Sequence, residues 1–177
     1  GFKTDLTKKI LGLNPHIVIE PNSFEINDLY ISKISDNFKN FTLSRSFSGE
    51  GIIITNENAK GVILKGVDKN EENIIEFFNR FVVDGNLKDF GAGKILIGSE
   101  LAYNLNLKEG ESINVMSSAF VSTPLGNLPK QENFKVAGIF NTGFLEFDQN
   151  LIFLNIEDVL AIFEKDKKDQ NVEIYLQ

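Results

Sequence analysis

Apolar residues recur along this chain at two spacings, and the changes between them mark out its elements. Leu6, Ile10 and Leu13 fall at helical spacing behind Thr4, a candidate N-cap, and Gly12, Asn14 and Pro15 end the turn. His16-Ile17-Val18-Ile19-Glu20 is β-branched and lies between Pro15 and Pro21, which predicts a strand. Ile26, Leu29, Tyr30, Ile34 and Phe38 return every three or four residues and predict an amphipathic helix over Glu25 to Phe38. Two or three strands follow, at Phe41 to Ser46, Gly51 to Thr55 and Ala59 to Gly66. Asp68 is placed to cap the next helix, whose apolar face is Ile74, Ile75, Phe77, Phe78 and Phe81. The order to this point is αβαβββα.

Beyond Val83 glycines are more frequent and the strands shorter. Asp84-Gly85 and Gly91-Ala92-Gly93 are turn signals around the buried strand Lys94 to Ile97, and Ser99 to Leu105 reads as a short helix with Ser99 as its cap. Glu109-Gly110 turns the chain into a strand at Ser112 to Met116, and Asn133 to Phe140 is the return strand. Leu151 to Leu154 is another strand. Asn155 then caps a helix with Val159, Leu160 and Phe163 inward, and Asn171 to Leu176 alternates as a last strand. This second part is β-rich. The charged run Glu164 to Asp169 is the solvated end of a helix and a loop.

The 177 residues, 42% hydrophobic, suit one domain or two small lobes. A net charge of −7 is the wrong sign for gripping nucleic acid or an anionic leaflet. With no cysteine, disulfides, thiolate nucleophiles and Cys-based metal sites are excluded. A spanning helix needs roughly 20 apolar residues, and runs here stop at pieces such as Ile52-Ile53-Ile54 and Leu151-Ile152-Phe153-Leu154. The start at Gly1, with neither initiator Met nor a cleavable signal pattern, leads us to expect a fragment of a longer protein whose flanks hold the membrane spans.

Candidate chemistry is sparse. The single histidine, His16, reads as a strand-end residue with a satisfied hydrogen bond, and no serine is marked as its partner in a triad. Asp84, Asp89, Glu146 and Asp148 lie near turns without the spacing of a calcium loop. Gly61 to Gly66 is followed by Val67 and Asp68 where a phosphate loop needs Lys and Ser or Thr, and Gly91-Ala92-Gly93-Lys94 runs into a strand rather than a helix. No catalytic, cofactor-binding or metal-ligating residue is assigned. A small hydrolase would need an acid pair or His16 in a concave pocket.

The sixteen residues Ser117 to Glu132 stand out as a connection far longer than the usual 4 to 6 or so. Pro124 and Pro129 stiffen it, and Gly126 permits positive φ, so Pro124-Leu125-Gly126 reads as a rigid tip. Phe120, Val121, Leu125 and Leu128 are apolar where a loop should be solvated. Either these four fold back over the domain's own core, or they form a projecting arm that docks a partner.

Several motifs together resemble a known family. They are Gly1-Phe2 with Leu11-Gly12-Leu13-Asn14-Pro15-His16, Gly66-Val67-Asp68, Ile97-Gly98-Ser99-Glu100-Leu101-Ala102, Leu107-Lys108-Glu109-Gly110-Glu111, and Phe134 to Gly143 followed by Glu146-Phe147-Asp148. In this order they resemble the periplasmic domain of the LolC/LolE family, membrane subunits of the lipoprotein-releasing ABC transporter within the wider MacB-like permeases. Thr123-Pro124-Leu125-Gly126-Asn127-Leu128-Pro129-Lys130-Gln131 resembles the hook of LolC-type or hybrid LolF-type subunits, which captures the periplasmic lipoprotein chaperone LolA.

The resemblance implies a non-catalytic, cofactor-free domain at the periplasmic side of the inner membrane. It implies an α+β fold with a Porter-like lobe over 1–83 and 169–177, incomplete at its C-terminus, and a β-rich Sabre-like lobe over 84–168 carrying a hook at about 117–132. Chaperone binding is then expected of Phe120, Val121, Thr123, Pro124, Leu125, Gly126, Asn127, Leu128, Pro129 and Gln131. Glu132 stands where the family's polar pad carries a positive residue. The further partners implied are a lipoprotein substrate, a LolD-like cytoplasmic ATPase subunit and a second membrane subunit, with no nucleic acid. A MacB-like efflux or mechanotransmission permease domain would share the fold and dock another partner.

Overall fold

The computed structural model describes residues 17–19 and 41–176. The helices expected at Thr4 to Leu13 and Glu25 to Phe38, and His16, lie outside the described residues. In chain order the strands are β1 (Ile17–Ile19), β2 (Phe41–Ile54), β3 (Ala59–Val67), β4 (Val82–Gly85), β5 (Lys94–Gly98), β6 (Ser112–Thr123), β7 (Gly126–Phe140), β8 (Leu151–Asn155) and β9 (Asn171–Leu176). The helices are α1 (Glu72–Phe81), α2 (Ser99–Asn104), α3 (Leu145–Asp148) and α4 (Ile156–Ile162). The strands form one mixed sheet in the order β1-β9-β2-β3-β8-β5-β7-β4, with β6 paired to β2 and β7. The α+β class expected from the sequence is the class observed.

The central strands carry the core on both faces. Lys94-Ile95-Leu96-Ile97-Gly98 and Leu151-Ile152-Phe153-Leu154-Asn155 are nearly continuous apolar runs, and a two-residue period deals their side chains to opposite sides. Ile95, Ile97, Ile152 and Leu154 pack with Leu101 of α2 and Val159 and Ile162 of α4. Leu96, Leu151 and Phe153 pack with Ile74, Phe77 and Phe78 of α1. Phe77, Phe140 and Phe153 meet edge to face with ring centroids 5.0–5.6 Å apart, a geometry aromatic quadrupoles favour.

Three local expectations change. Phe41 to Ile54 is one strand of 14 residues, not two, because its glycines make room rather than a turn: a side chain at Gly49 would strike the Phe163 ring. Asp68 accepts the Asn70 N–H (2.9 Å) and closes the turn before α1, whose N-cap position is Glu71. Ser99 lies inside α2, Gly98 takes the N-cap position, and the side chain of Asn155 at the α4 N-cap makes no capping bond.

The ladders do not part at Val83, where the sequence changes character. They part within β2, which pairs with β9 over Phe41 to Ser46 and with β3 over Phe47 to Ile54. Both cores join residues from either side of Val83. Gly85, Gly93, Gly110 and Gly143, in the glycine-richer part beyond Val83, take positive φ, a conformation that favours glycine.

Candidate partner-docking arm

The connection that looked like a long loop is mostly strand. β6 runs on to Thr123 and β7 begins at Gly126, with Phe120 opposite Pro129, Val121 opposite Leu128, Ser122 opposite Asn127 and Thr123 opposite Gly126. The prolines and glycine read as loop signals, but Pro124 sits in the turn itself and Pro129 on a strand with no neighbour beyond it among the described residues, where a missing N–H costs no ladder bond. Gly126 has φ +110°, a conformation open to glycine. The Thr123 hydroxyl donates to the Gly126 carbonyl (2.7 Å) and accepts the Leu125 N–H (3.2 Å), which tightens the turn from inside.

Burial shows where the arm leaves the body. Along β6 the side chains of Ile113, Val115 and Ser117 are buried in alternation, and past Ser117 none is. β2 pairs with β6 only from Asn114 to Ser117, so beyond that point the hairpin stands as two strands. A register shift between Met116 and Phe120 opens at the same place, a bulge that bends the ribbon. The root is tied to the end of α4 from both strands: the Ser117 hydroxyl donates to the Ile162 carbonyl, and Lys130 Nζ lies 2.7 Å from Glu164 Oε1.

The four apolar residues do not fold back on the core. Leu125 is 89% exposed at the tip, Phe120 62%, Leu128 46% and Val121 39%. Strand alternation puts Phe120 and Pro129 on one face and Val121 and Leu128 on the other, so the ribbon is apolar on both sides. No charged residue lies between Met116 and Lys130. Pro124 and Asn127 are also exposed, Thr123 is half-buried by the turn, and Gln131 stands opposite Met116 at the root. The ten residues expected to bind a partner are thus contiguous on one hairpin. Beside the root, Glu50, Gly51, Ile52, Ile63, Met116 and Ser118 line an open cavity of about 500 Å³, in which Glu50 is the one carboxylate among the described residues.

Two of the motifs that carried the resemblance, Ile97 to Ala102 and Phe134 to Gly143 with Glu146 to Asp148, also meet. Asp148, buried at the end of α3, accepts Thr142 N–H and Oγ–H on Oδ1 (both 2.8 Å) and Gly143 N–H on Oδ2 (3.1 Å), closing the loop after β7. Gly98 lies against the Asp148 backbone so closely that no side chain fits.

Over 169 residues, 94% of this chain and 41% of the relative, the sequence is 23% identical to the lipoprotein-releasing system transmembrane protein LolC of Xylella fastidiosa strain Temecula1. The LolC of Neisseria meningitidis serogroup B gives 23% over 172 residues, 95% of this chain and 41% of its own. The chain is similar in sequence to LolC transmembrane proteins. It spans about two-fifths of the length of these LolC relatives. No protein-family model matches. Among solved structures, the extracellular domain of the noncanonic ABC-type transporter YknZ from Gram-positive bacteria has a TM-score of 0.55 at 15% identity, covering 89% of this chain and 82% of that one. A domain of a putative permease from Porphyromonas gingivalis gives 0.51 at 11%, covering 82% and 66%. These two share the fold, and the MacB-like permease-domain architecture expected from the sequence agrees with them. The LolC resemblance read from short motifs is thus found again over nearly the whole chain.

Sequence reasoning missed the root of the arm. Ser117 and Glu164 carry no motif, and only the packing of α4 beside β6 brings them to it. It missed Glu71 as well. Oε1 of this carboxyl accepts the Arg45 N–H (2.9 Å), while Oε2 is buried without a hydrogen-bond partner among the described residues. Burial pushes its pKa up to about 7, against the pull of the Arg45 N–H and the Ser44 hydroxyl.

Proposed function

We propose that this chain is the periplasmic domain of a membrane subunit of a lipoprotein-releasing ABC transporter, and that its arm is a hook that recruits a LolA-like chaperone to accept the released lipoprotein. The observation that carries the reading is an uncharged hairpin with Phe120, Val121, Leu125 and Leu128 turned to solvent, on a chain similar to LolC. Each such side chain contributes about 1.5 to 3 kcal/mol when buried, and Pro124 and the Thr123 bonds hold the tip in shape before binding, which lowers the ordering cost. Extracting acyl chains costs about 0.8 kcal/mol per CH₂. That work belongs to a cytoplasmic ATPase subunit, LolD-like on this reading, acting with a second membrane subunit, and this domain is non-catalytic. On this reading the chain is divided into a Porter-like lobe over 1–83 and 169–177 and a Sabre-like lobe over 84–168 that carries the arm.

Titration of the purified domain with the LolA-like chaperone of the same organism tests this. Saturable binding is expected, and Leu125→Asp, which places a charge at the most exposed anchor, should weaken it at least about tenfold. Absence of binding by the unaltered domain would sink the hook assignment. The fold shared with the YknZ extracellular domain favours a second reading, a MacB-like permease domain with another periplasmic partner, and that outcome would leave it standing.

A further inference from the structure

The two edges of the arm are chemically unequal. Pro129 carries no N–H, so its pair with Phe120 does not exchange two ladder bonds. Exchanging pairs alternate along an antiparallel ribbon, which assigns them to Val121 with Leu128 and to Thr123 with Gly126. The N–H and C=O groups of Phe120 and Ser122 therefore point away from β7, at an edge that β2 has left at Ser117. On the β7 side the corresponding positions are Asn127 and Pro129, and the proline removes one of the two donors. Charged side chains and prolines are the usual protection of an open edge, and from Ser118 to Thr123 there are neither. The Ala119 N–H is taken by the Ser117 hydroxyl (3.1 Å), so among the described residues the open edge begins at Phe120.

We infer that the β6 edge at Phe120 to Ser122 takes an added strand from the protein the arm binds, so that the arm joins an exposed sheet edge of its partner as well as filling apolar pockets. The partner chemistry this fits is an uncharged extended strand with free backbone groups, supplied by the chaperone. The inference rests on reading the arm as the chaperone hook. It adds directional backbone bonds to an apolar contact that would otherwise leave register unspecified.

The test is amide hydrogen exchange by NMR on the domain with and without the LolA-like chaperone, beside titrations of Ser122→Pro and Ser122→Ala. In the free domain the amides of Phe120 and Ser122 should exchange faster than those of Val121 and Thr123, and chaperone should slow both. Ser122→Pro removes one outward donor at an edge position that accepts proline and should weaken binding about five- to tenfold, whereas Ser122→Ala keeps the donor and should bind as the unaltered domain does. Should the proline disturb the hairpin, the exchange pattern of the unaltered domain still decides. Binding that Leu125→Asp abolishes but that leaves the Phe120 and Ser122 amides unprotected would overturn the added strand and keep the hook. No binding at all would overturn both. Protection of the same amides by self-association without chaperone would overturn the inference and give the edge to a second copy of this chain.

Discussion

At Glu71 the side chain joins two elements at the point where β2 passes from one ladder to the other. Its Oε1 takes the Arg45 N–H of β2, and its backbone carbonyl accepts the N–H groups of Ile74 and Ile75 at the start of α1. The carboxyl is buried enough that its neutral form is favoured up to about pH 7. Asp68 adds a repulsive charge, and Arg45 on the other side only partly offsets it. A folded-state pKa raised above the unfolded value means that the folded protein holds this proton more tightly. The stabilisation is complete below the unfolded pKa near 4.5 and is lost as pH rises through 7, an effect of up to about 3 kcal/mol. Thermal unfolding followed from pH 5 to 8.5 should show stability falling from this group, and Glu71→Gln should flatten that part of the profile and raise Tm at pH 8. A profile unchanged by the substitution would remove Glu71 as the cause.

The arm and the body behave as separate elements joined at a narrow root. From Ala119 to Pro129 no side chain is buried in the core, so those residues contribute little to the stability of the sheet. Replacing 119–129 by a two-residue Asn-Gly turn should leave Tm within about 2 °C, measured by calorimetry, and, on the proposed reading of the arm as a hook, abolish chaperone binding. A large loss of stability would instead mean that the hairpin supports the body. This element was half legible. Prolines, a glycine and misplaced apolar residues showed that the segment was special, but breaker residues made it look irregular. The strand is there because pairing across a ribbon needs no donor at Pro129 and because Phe120, Val121 and Thr123 are good strand formers.

At the scale of the whole molecule, charge is kept off the exposed apolar arm. The chain carries −7 overall, yet the arm is uncharged from Ser117 to Pro129, and the one cation at its root, Lys130, is held by Glu164. Exposed ion pairs of this kind are worth little, and the apolar anchors are indifferent to salt. Affinity for the chaperone should therefore change by less than about threefold between 50 and 500 mM salt, measured by titration at both. A steep fall would move the contact from the arm to charged residues on the body.

The sequence by itself determined the strands that alternate or run continuously apolar, the amphipathic face of α1, the resemblance to LolC and the segment that had to be explained. These are local properties, carried by side-chain period, turn residues and ordered short motifs. Tertiary structure alone decided that Phe41 to Ile54 is unbroken, because Gly49 is small for the sake of Phe163, which lies more than a hundred residues away in the chain. It decided that the ladders part inside β2 rather than at Val83. It also decided that Phe120, Val121, Leu125 and Leu128 face water: whether an apolar side chain is covered depends on which distant element lies over it, and spacing along the chain does not contain that information.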